Sequence, residues 1–256
     1  MVRNVRLKMP RIGTRKLYHI LKSELKELGV GRDRLFDIIR ANHMCIVPKR
    51  QYHVTTNSHH RFRKHKNLIS GVTPKRPEQI WASDITYIGR RQNPIYLALV
   101  TDDYSKKIMG YSVSNSLALQ GSVSALKMAL RQRRYPSEEL IHHSDRGLQY
   151  CSDEYQKVLS KNDIKCSMTE QYDPYENAVA ERVNGILKQE FINGIDIQDC
   201  KLMTLLIKQS ILIYNEDRPH SSCHMKTPEQ MHRQRSIRIK TYKKQNSIKT
   251  NLDAAD

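Results

Sequence analysis

The sequence lacks the features that would direct the chain into a membrane or a secretory pathway. No apolar run approaches the roughly 18 residues that a membrane-spanning helix requires, and no signal-peptide pattern opens the chain. The five cysteines are scattered, with no two of them two or three residues apart. This spacing argues against both a disulfide framework and a zinc knuckle. We therefore expect a soluble cytoplasmic protein with reduced thiols.

Acidic residues are scarce at both ends of the chain. Residues 1–76 hold 19 Lys and Arg against 4 Asp and Glu, and residues 233–256 hold 7 against 2. Residues 77–232 hold 18 against 20, the balance of an ordinary folded domain. The net charge of +18 therefore comes from the two ends, which is typical of a protein that binds a polyanion. Composition alone leaves a ribosomal or chaperone-like basic protein open.

The first 46 residues predict two short amphipathic helices around a glycine turn. Residues 13–28 place five apolar side chains on one helical stripe, and the Gly-Val-Gly turn at 29–31 ends that helix. A second helix follows, with three basic side chains on its outer side: Arg32, Arg34 and Arg40. The pattern predicts a helix-turn-helix DNA-binding region over 1–46, in which these arginines contact DNA. A helical hairpin with a solvated basic face would have the same pattern.

After a basic, proline-containing segment over 47–77, which predicts a linker, the pattern changes to that of a mixed α/β domain over 78–232. Three β-rich runs come first, and helices then alternate with shorter strands. The predicted strands are 82–90, 94–101, 107–114, 139–144 and 164–168; the predicted helices are 118–133, 152–161, 175–192 and 199–215. This order predicts a mixed sheet with flanking helices. The tail over 233–256 is basic and aperiodic, which predicts disorder.

Two aspartates in the predicted sheet are candidates for metal chemistry. Asp84 lies in the middle of an otherwise apolar strand, where a carboxylate costs desolvation and so needs a charge partner or a function. Asp145 follows a predicted strand, and ligands collect at strand ends in open α/β sheets. Taken by itself, Asp145 is better explained as a turn or helix-cap residue.

The third candidate is the single acid at the centre of a helix's polar face. On a helical wheel, Glu181 shares that face with Asn177, Asn184 and Lys188, and Gly185 beside them leaves room for a ligand. Phosphodiester chemistry needs two divalent cations, which carboxylates from separate elements can hold at one point. The sequence thus predicts a catalytic metal site at Asp84, Asp145 and Glu181.

The spacing of these residues resembles a known signature. Asp84 and Asp145 have 60 residues between them, Asp145 and Glu181 have 35, and Lys188 lies seven residues beyond Glu181. This resembles the D,D-35-E signature of the retroviral-integrase and transposase superfamily. The strings WASDITYI, HHSDRGLQY, YENAVAERVNGILKQE and YNEDRPHSS resemble the catalytic subunit of the bacterial "IS-three" family of insertion sequences, and the similarity extends over residues 13–231.

The resemblance implies a fold and a reaction. It implies a ribonuclease-H-like core with a five-stranded mixed sheet, and two Mg²⁺ ions, with Mn²⁺ able to substitute, held by Asp84, Asp145 and Glu181. It further implies that Lys188 and Asn177 touch the element's terminal DNA, and Asn184 on the same face is a third candidate for such a contact. The implied reaction is transposition: water cleaves a phosphodiester at the element end, and the freed 3′-OH attacks another strand.

The resemblance also implies partners and leaves alternatives. The expected partners are double-stranded DNA, as element end and as target, and further copies of the chain on that DNA. Family catalytic subunits are often fused by frameshifting to an upstream helix-turn-helix and zipper protein, which is a further expected partner. The alternatives are a nuclease that only hydrolyses and a truncated transposase that acts as a non-catalytic repressor.

Three further groups of polar residues each allow two interpretations of their role. His142 and His143 precede Asp145, where a general base or a structural histidine would fit. Asp102 and Asp103 end the second strand as rival ligands or as turn residues. The sequence Arg218-Pro219-His220 indicates either contact with DNA or a second copy, or a helix stop with packing.

Overall fold

The computed structural model describes residues 1–47, 65–90, 93–170 and 177–235. Four short helices form the N-terminal region: α1 (Val2–Lys8), α2 (Thr14–Ile20), α3 (Lys22–Glu27) and α4 (Arg32–Ala41). The helix predicted over 13–28 is interrupted at Leu21, and α1 was not predicted. Gly29, in the turn before α4, has a φ of +65°, which glycine adopts without a steric penalty.

Five strands form one mixed sheet at the predicted places. They are β1 (Ile80–Arg90), β2 (Asn93–Asp102), β3 (Ile108–Ser114), β4 (Ile141–Ser144) and β5 (Lys165–Met168). Their order in the sheet is β3-β2-β1-β4-β5. The first three strands pair antiparallel, whereas β4 pairs parallel with both β1 and β5. The prediction of a mixed five-stranded sheet is confirmed.

Helices cover both faces of this sheet. They are α5 (Leu119–Arg131), α6 (Leu148–Cys151), α7 (Asp153–Lys161), α8 (Ala178–Ile186), α9 (Cys200–Glu216) and α10 (Pro228–His232). A π-helical turn, Leu187–Ile192, continues α8, and a 3₁₀ turn, Ser221–Cys223, follows α9. Alternate residues of β2 enter different apolar clusters: Leu97 and Leu99 pack with α8 and α9, whereas Ala98 and Val100 pack with α5 and α7.

The N-terminal helices pack on the side of the sheet that α8 and α9 cover. Ile12, Leu17 and Leu35 are buried in the same apolar cluster as Phe191 and Ile211 of the core. The region predicted to bind DNA therefore shares buried surface with the helices that follow β5. Burial of this kind is the main favourable contribution to folding.

The predicted linker falls partly outside the described residues, which omit 48–64. Its remaining part contacts the core: the Leu68 amide donates to Ser167 Oγ at 2.9 Å, and Arg76 Nε lies 3.1 Å from Glu138 Oε2. Most of the predicted tail, residues 236–256, also lies outside the described residues. Within the described ranges, the helices are too short or too polar to cross a membrane.

Candidate active site

The register of two parallel strands places the two aspartates side by side. Ser83 of β1 pairs with Ser144 of β4, the last residues of the parallel ladder, and an aspartate follows each of them. Adjacent strands lie about 4.8 Å apart, so Asp84 and Asp145 leave the ladder as neighbours. The structure thus brings together two of the predicted site residues where β1 and β4 diverge.

Helix α8 carries the third carboxylate, Glu181, close to Asp84 and Asp145. Asn184 Nδ2 donates to Asp84 Oδ2 at 2.8 Å, and Asn177 Nδ2, just before the helix, donates to the Ser83 carbonyl at 3.2 Å. These two contacts fix α8 to β1 on either side of Glu181, whose side chain is exposed. Both asparagines are buried, and no described residue donates a hydrogen bond to their side-chain oxygens.

Electrostatic interactions within the group of three carboxylates raise the pKa of Asp84 and of Glu181. Burial, and then the charge of Asp145, raises the pKa of Asp84 to about 7, while Glu181 adds to the shift and Asn184 opposes it. Burial and Asp145 also raise the pKa of Glu181. Crowded negative charge of this kind is relieved by a bound cation.

Asp145 is both a turn residue and a member of this group. Its Oδ1 accepts from the Gly147 amide at 3.0 Å, and a Cβ on Gly147 would lie only 2.9 Å from that same oxygen. A side chain at position 147 would therefore displace the Asp145 carboxylate from its present position. The structure thus shows the turn interpretation of Asp145, and its role as a metal ligand stays a prediction.

The donor set has the chemistry of a site for a hard divalent cation, although its spacing is not that of a complete ligand set. Among the residues that the structure describes, no three His, Cys, Asp or Glu side chains are close enough to hold one metal ion together. The three carboxylates nevertheless come from three parts of the chain and supply oxygen donors, and the charge of Asp145 raises the pKa of the other two. Oxygen donors with excess negative charge are what Mg²⁺ and related ions prefer.

Lys188 lies at the edge of this group. Its Nζ is 5.1 Å from the centroid of the Tyr87 ring on β1, and the side chain is half-buried. Burial lowers the pKa of Lys188, and the charge of Asp84 raises it. A Cβ on Gly185 would meet no atom of the described residues within 4 Å, which agrees with the room that the sequence predicted beside the helix.

The three arginines predicted to contact DNA are exposed on α4. Arg32 Nε lies 2.9 Å from Asp33 Oδ1, and Arg40 Nη1 lies 3.1 Å from Asp37 Oδ1. Exposed ion pairs contribute little free energy, so a phosphate can replace these carboxylates as a partner. The structure does not bring the arginines together with the carboxylates of the core.

The other polar residues weighed from the sequence have structural contacts. His142 Nε2 lies 2.8 Å from Ser83 Oγ and 2.9 Å from Tyr155 Oη, and burial lowers the pKa of this histidine to about 3. Asp102 accepts hydrogen bonds from the amides of Glu78 and Ser105. These contacts favour the structural interpretation of His142 and the turn interpretation of Asp102.

Sequence reasoning missed an ion pair next to α8, between Glu190 and Arg218. Glu190 accepts two hydrogen bonds of 2.7 Å from Arg218 Nε and Nη2. The two residues are 28 positions apart, so no local period could have revealed the pair.

The chain is similar in sequence to known protein families and proteins. The integrase core domain model matches residues 74–174, and a second integrase core domain model matches residues 162–228. The insertion element IS600 uncharacterized 31 kDa protein of Shigella sonnei is 35% identical over 221 residues, which cover 84% of this chain and 81% of that protein.

A second relative and one solved structure extend the comparison. Transposase InsF for insertion sequence IS3A of Escherichia coli (strain K12) is 37% identical over 155 residues, which cover 60% of this chain and about half of InsF (54%). A chain in the simian T-cell lymphotropic virus intasome structure is 19% identical, with a TM-score of 0.52, over 87% of this chain and 75% of that one. This likeness shows the fold, a ribonuclease-H-like integrase core. The chain belongs to the DDE-type transposases of bacterial insertion sequences, which are built on an integrase core domain.

Proposed function

We propose that the chain catalyses metal-dependent cleavage and strand transfer at the ends of an insertion sequence, with Asp84, Asp145 and Glu181 holding two Mg²⁺ ions. Mn²⁺ would substitute. The observation that carries this proposal is the group of three carboxylates. Asp84 and Asp145 follow paired residues of β1 and β4, and both Asp145 and Glu181 are close enough to Asp84 to raise its pKa. When bound, the cations supply positive charge to the attacking and leaving oxygens of the phosphodiester.

The residues of the chain position the carboxylates and the DNA, and none of them forms a covalent bond with the substrate. Asn184 donates to Asp84 and thereby fixes the orientation of that carboxylate, while Asn177 ties the start of α8 to β1. These contacts support a positioning role for both asparagines beside the DNA contact that the sequence predicts. Lys188 places the DNA end by holding a phosphate near the carboxylates. A correctly held phosphodiester removes much of the entropic part of the barrier.

The partners in this proposal are double-stranded DNA, as element end and as target, and further copies of the chain assembled on it in the cytoplasm. An upstream helix-turn-helix and zipper protein is a further partner. The N-terminal region over 1–46 recognises the element end through Arg32, Arg34 and Arg40, and the core over 78–232 performs the reaction. The basic segments over 47–77 and 233–256 add sequence-independent contacts with phosphates.

The proposal is tested by incubating the chain with a labelled duplex that carries an element end. Cleavage at the end is expected with Mg²⁺ or Mn²⁺ and is expected to stop when EDTA removes the metal. A duplex of unrelated sequence serves as the control. Cleavage that persists in EDTA would contradict the metal-dependent mechanism.

Replacing Lys188 with alanine is expected to slow cleavage of a specific end by about tenfold to a hundredfold, the size of one charge-assisted hydrogen bond of roughly 1.5–3 kcal/mol. Lys188→Glu should slow it further, because the carboxylate repels the phosphate. The measurement is the cleavage rate of a pre-formed end complex, with the unfolding temperature recorded alongside. An alanine variant as fast as wild type, or one whose loss follows its unfolding temperature, would rule out the phosphate contact.

Replacing Arg32, Arg34 and Arg40 together with glutamine is expected to remove the preference for the element end and leave salt-sensitive binding to any duplex. These side chains are exposed, so the fold should be unaffected, whereas deleting residues 1–46 would uncover apolar core. The measurement is the ratio of dissociation constants for end and unrelated DNA. An unchanged ratio would mean that another segment recognises the sequence.

A further inference from the structure

One partly buried carboxylate joins the N-terminal region, the π-helical turn that continues α8, and the segment after α9. Glu190, in the π-helical turn, accepts both hydrogen bonds from Arg218, and its Oε1 lies 3.4 Å from Nζ of Lys16 on α2. The exposed side-chain fractions are 1% for Arg218, 14% for Glu190 and 19% for Lys16. Water therefore screens these ion pairs much less than it screens pairs on the surface.

The backbone reinforces the same junction. The Arg11 amide, between α1 and α2, donates to the Glu190 carbonyl at 3.2 Å. Glu190 lies two residues after Lys188 in one π-helical turn, which the Asn193 amide closes by donating to the Lys188 carbonyl at 2.7 Å. Whatever fixes Glu190 thus fixes the turn from which Lys188 extends. Single π-helical turns are rare and are often found at functional sites.

Apart from Glu190, the surroundings of Lys16 disfavour its positive charge. Burial, and then the charge of Arg218, lowers the pKa of Lys16, and Arg182 adds to this effect. Burial would raise the pKa of Glu190, but the hydrogen bond and charge of Arg218, followed by Lys16, outweigh it. Arg218 alone already pairs with the Glu190 carboxylate. A need to pair that carboxylate for stability therefore does not explain Lys16, which is a second and partly buried cation.

We propose that Glu190 couples the N-terminal helices to α8. When the N-terminal region is bound to an element end, the Lys16–Glu190 ion pair fixes the position of the π-helical turn and therefore that of Lys188. The inference rests on the proposed function for its DNA substrate. Lys16, Glu190 and Arg218 act as positioning residues, since none of them touches the three carboxylates. Substrate recognition by the N-terminal region and placement of the scissile phosphate are then linked through one carboxylate.

The test compares Lys16→Met with a matched variant at the same junction. Lys8 Nζ lies 3.9 Å from Asp217 Oδ2 and so also links the N-terminal region to the segment after α9, but these side chains are 69% and 47% exposed. Lys8→Met therefore removes one positive charge and one exposed ion pair without touching Glu190. Lys16→Arg keeps the charge and serves as the conservative rescue.

Three quantities are measured in the full-length chain: affinity for the end with its salt dependence, the cleavage rate of the saturated complex, and the unfolding temperature. Lys16→Met is expected to slow cleavage of the saturated complex by about tenfold, the equivalent of roughly 1.4 kcal/mol, with the other two quantities unchanged. Lys16→Arg should restore the rate, and Lys8→Met should match wild type. Weaker end binding with a salt slope reduced by about one and a normal cleavage rate would identify Lys16 as a phosphate contact and overturn the coupling.

A readout without DNA or metal separates this inference from the proposed function. Amide hydrogen exchange in peptides covering 186–193 should be faster in Lys16→Met than in wild type or Lys8→Met, because the turn loses one of its restraints. Unchanged exchange would overturn the inference even where cleavage is affected. If wild type cleaves no end while the exchange difference is present, the proposed function fails and the junction stands. A rate loss that follows a fall in unfolding temperature would also overturn the coupling.

Discussion

Replacing Asp84 with asparagine is expected to abolish strand cleavage, by roughly a thousandfold or more, because a ligand charge is lost from a site that must hold two cations. Asp145→Asn and Glu181→Gln should have the same effect. DNA binding should survive in all three variants, since the net positive charge lies at the two ends of the chain. The measurement is the single-turnover cleavage rate at saturating DNA and Mg²⁺.

Asp103→Asn is the matched control for these three variants. Asp103 lies one residue beyond β2 and pairs with Lys106 Nζ at 2.6 Å, so its loss removes a carboxylate outside the proposed site. Cleavage by this variant should stay near the wild-type rate. A wild-type rate in Asp84→Asn, Asp145→Asn or Glu181→Gln would remove that residue from the site.

Replacing Gly110 with alanine is expected to destabilise the fold by about 3 kcal/mol or more, because the added methyl group has no room. Gly110 lies in β3 directly beneath α5. A Cβ there would lie 2.1 Å from the Ala125 carbonyl oxygen and 2.7 Å from the Ala129 amide nitrogen. Both are backbone atoms of the helix, so the clash can be relieved only by moving α5 away from the sheet. Urea unfolding measures the loss.

Gly121→Ala provides the control for the substitution at Gly110. Gly121 lies in α5 itself, and the nearest atom to its Cβ would be Ser112 Oγ at 3.9 Å, an ordinary contact. This variant should be neutral or slightly more stable, since alanine favours helix over glycine. A Gly110→Ala variant as stable as wild type would mean that α5 does not pack on β3 in the described way.

The sheet and its long helices were predictable because each has a clear hydrophobic period. The alternation along β2 marks residues such as Leu97 and Leu99 for one face and Ala98 and Val100 for the other. The short helices α1, α6 and α10 were missed, since four to seven residues show too little of a period. The helix predicted over 175–192 begins outside the described residues, and its last part is a π-helical turn that a fixed angle of about 100° per residue cannot represent.

The carboxylates of the proposed site were conspicuous in the sequence for a different reason. A charged residue within an apolar strand and a lone acid on a polar helix face are local anomalies, and their spacing carried the resemblance. The contacts that position them were not predictable. The hydrogen bond from Asn184 to Asp84 spans 100 residues, and the ion pair between Lys16 and Glu190 spans 174. Such pairs depend on how α8 and α2 dock, which no local pattern encodes.

The most direct test of the central claim is a strand-transfer assay with a pre-cleaved element end, a supercoiled target and Mg²⁺. A labelled end that carries a 3′-OH should become joined to the target, and an end that lacks only that hydroxyl should not. Asp84→Asn should give no joined product with either end. A chain that cleaves element ends but joins none of the 3′-OH ends would be a nuclease, and that result would contradict the account.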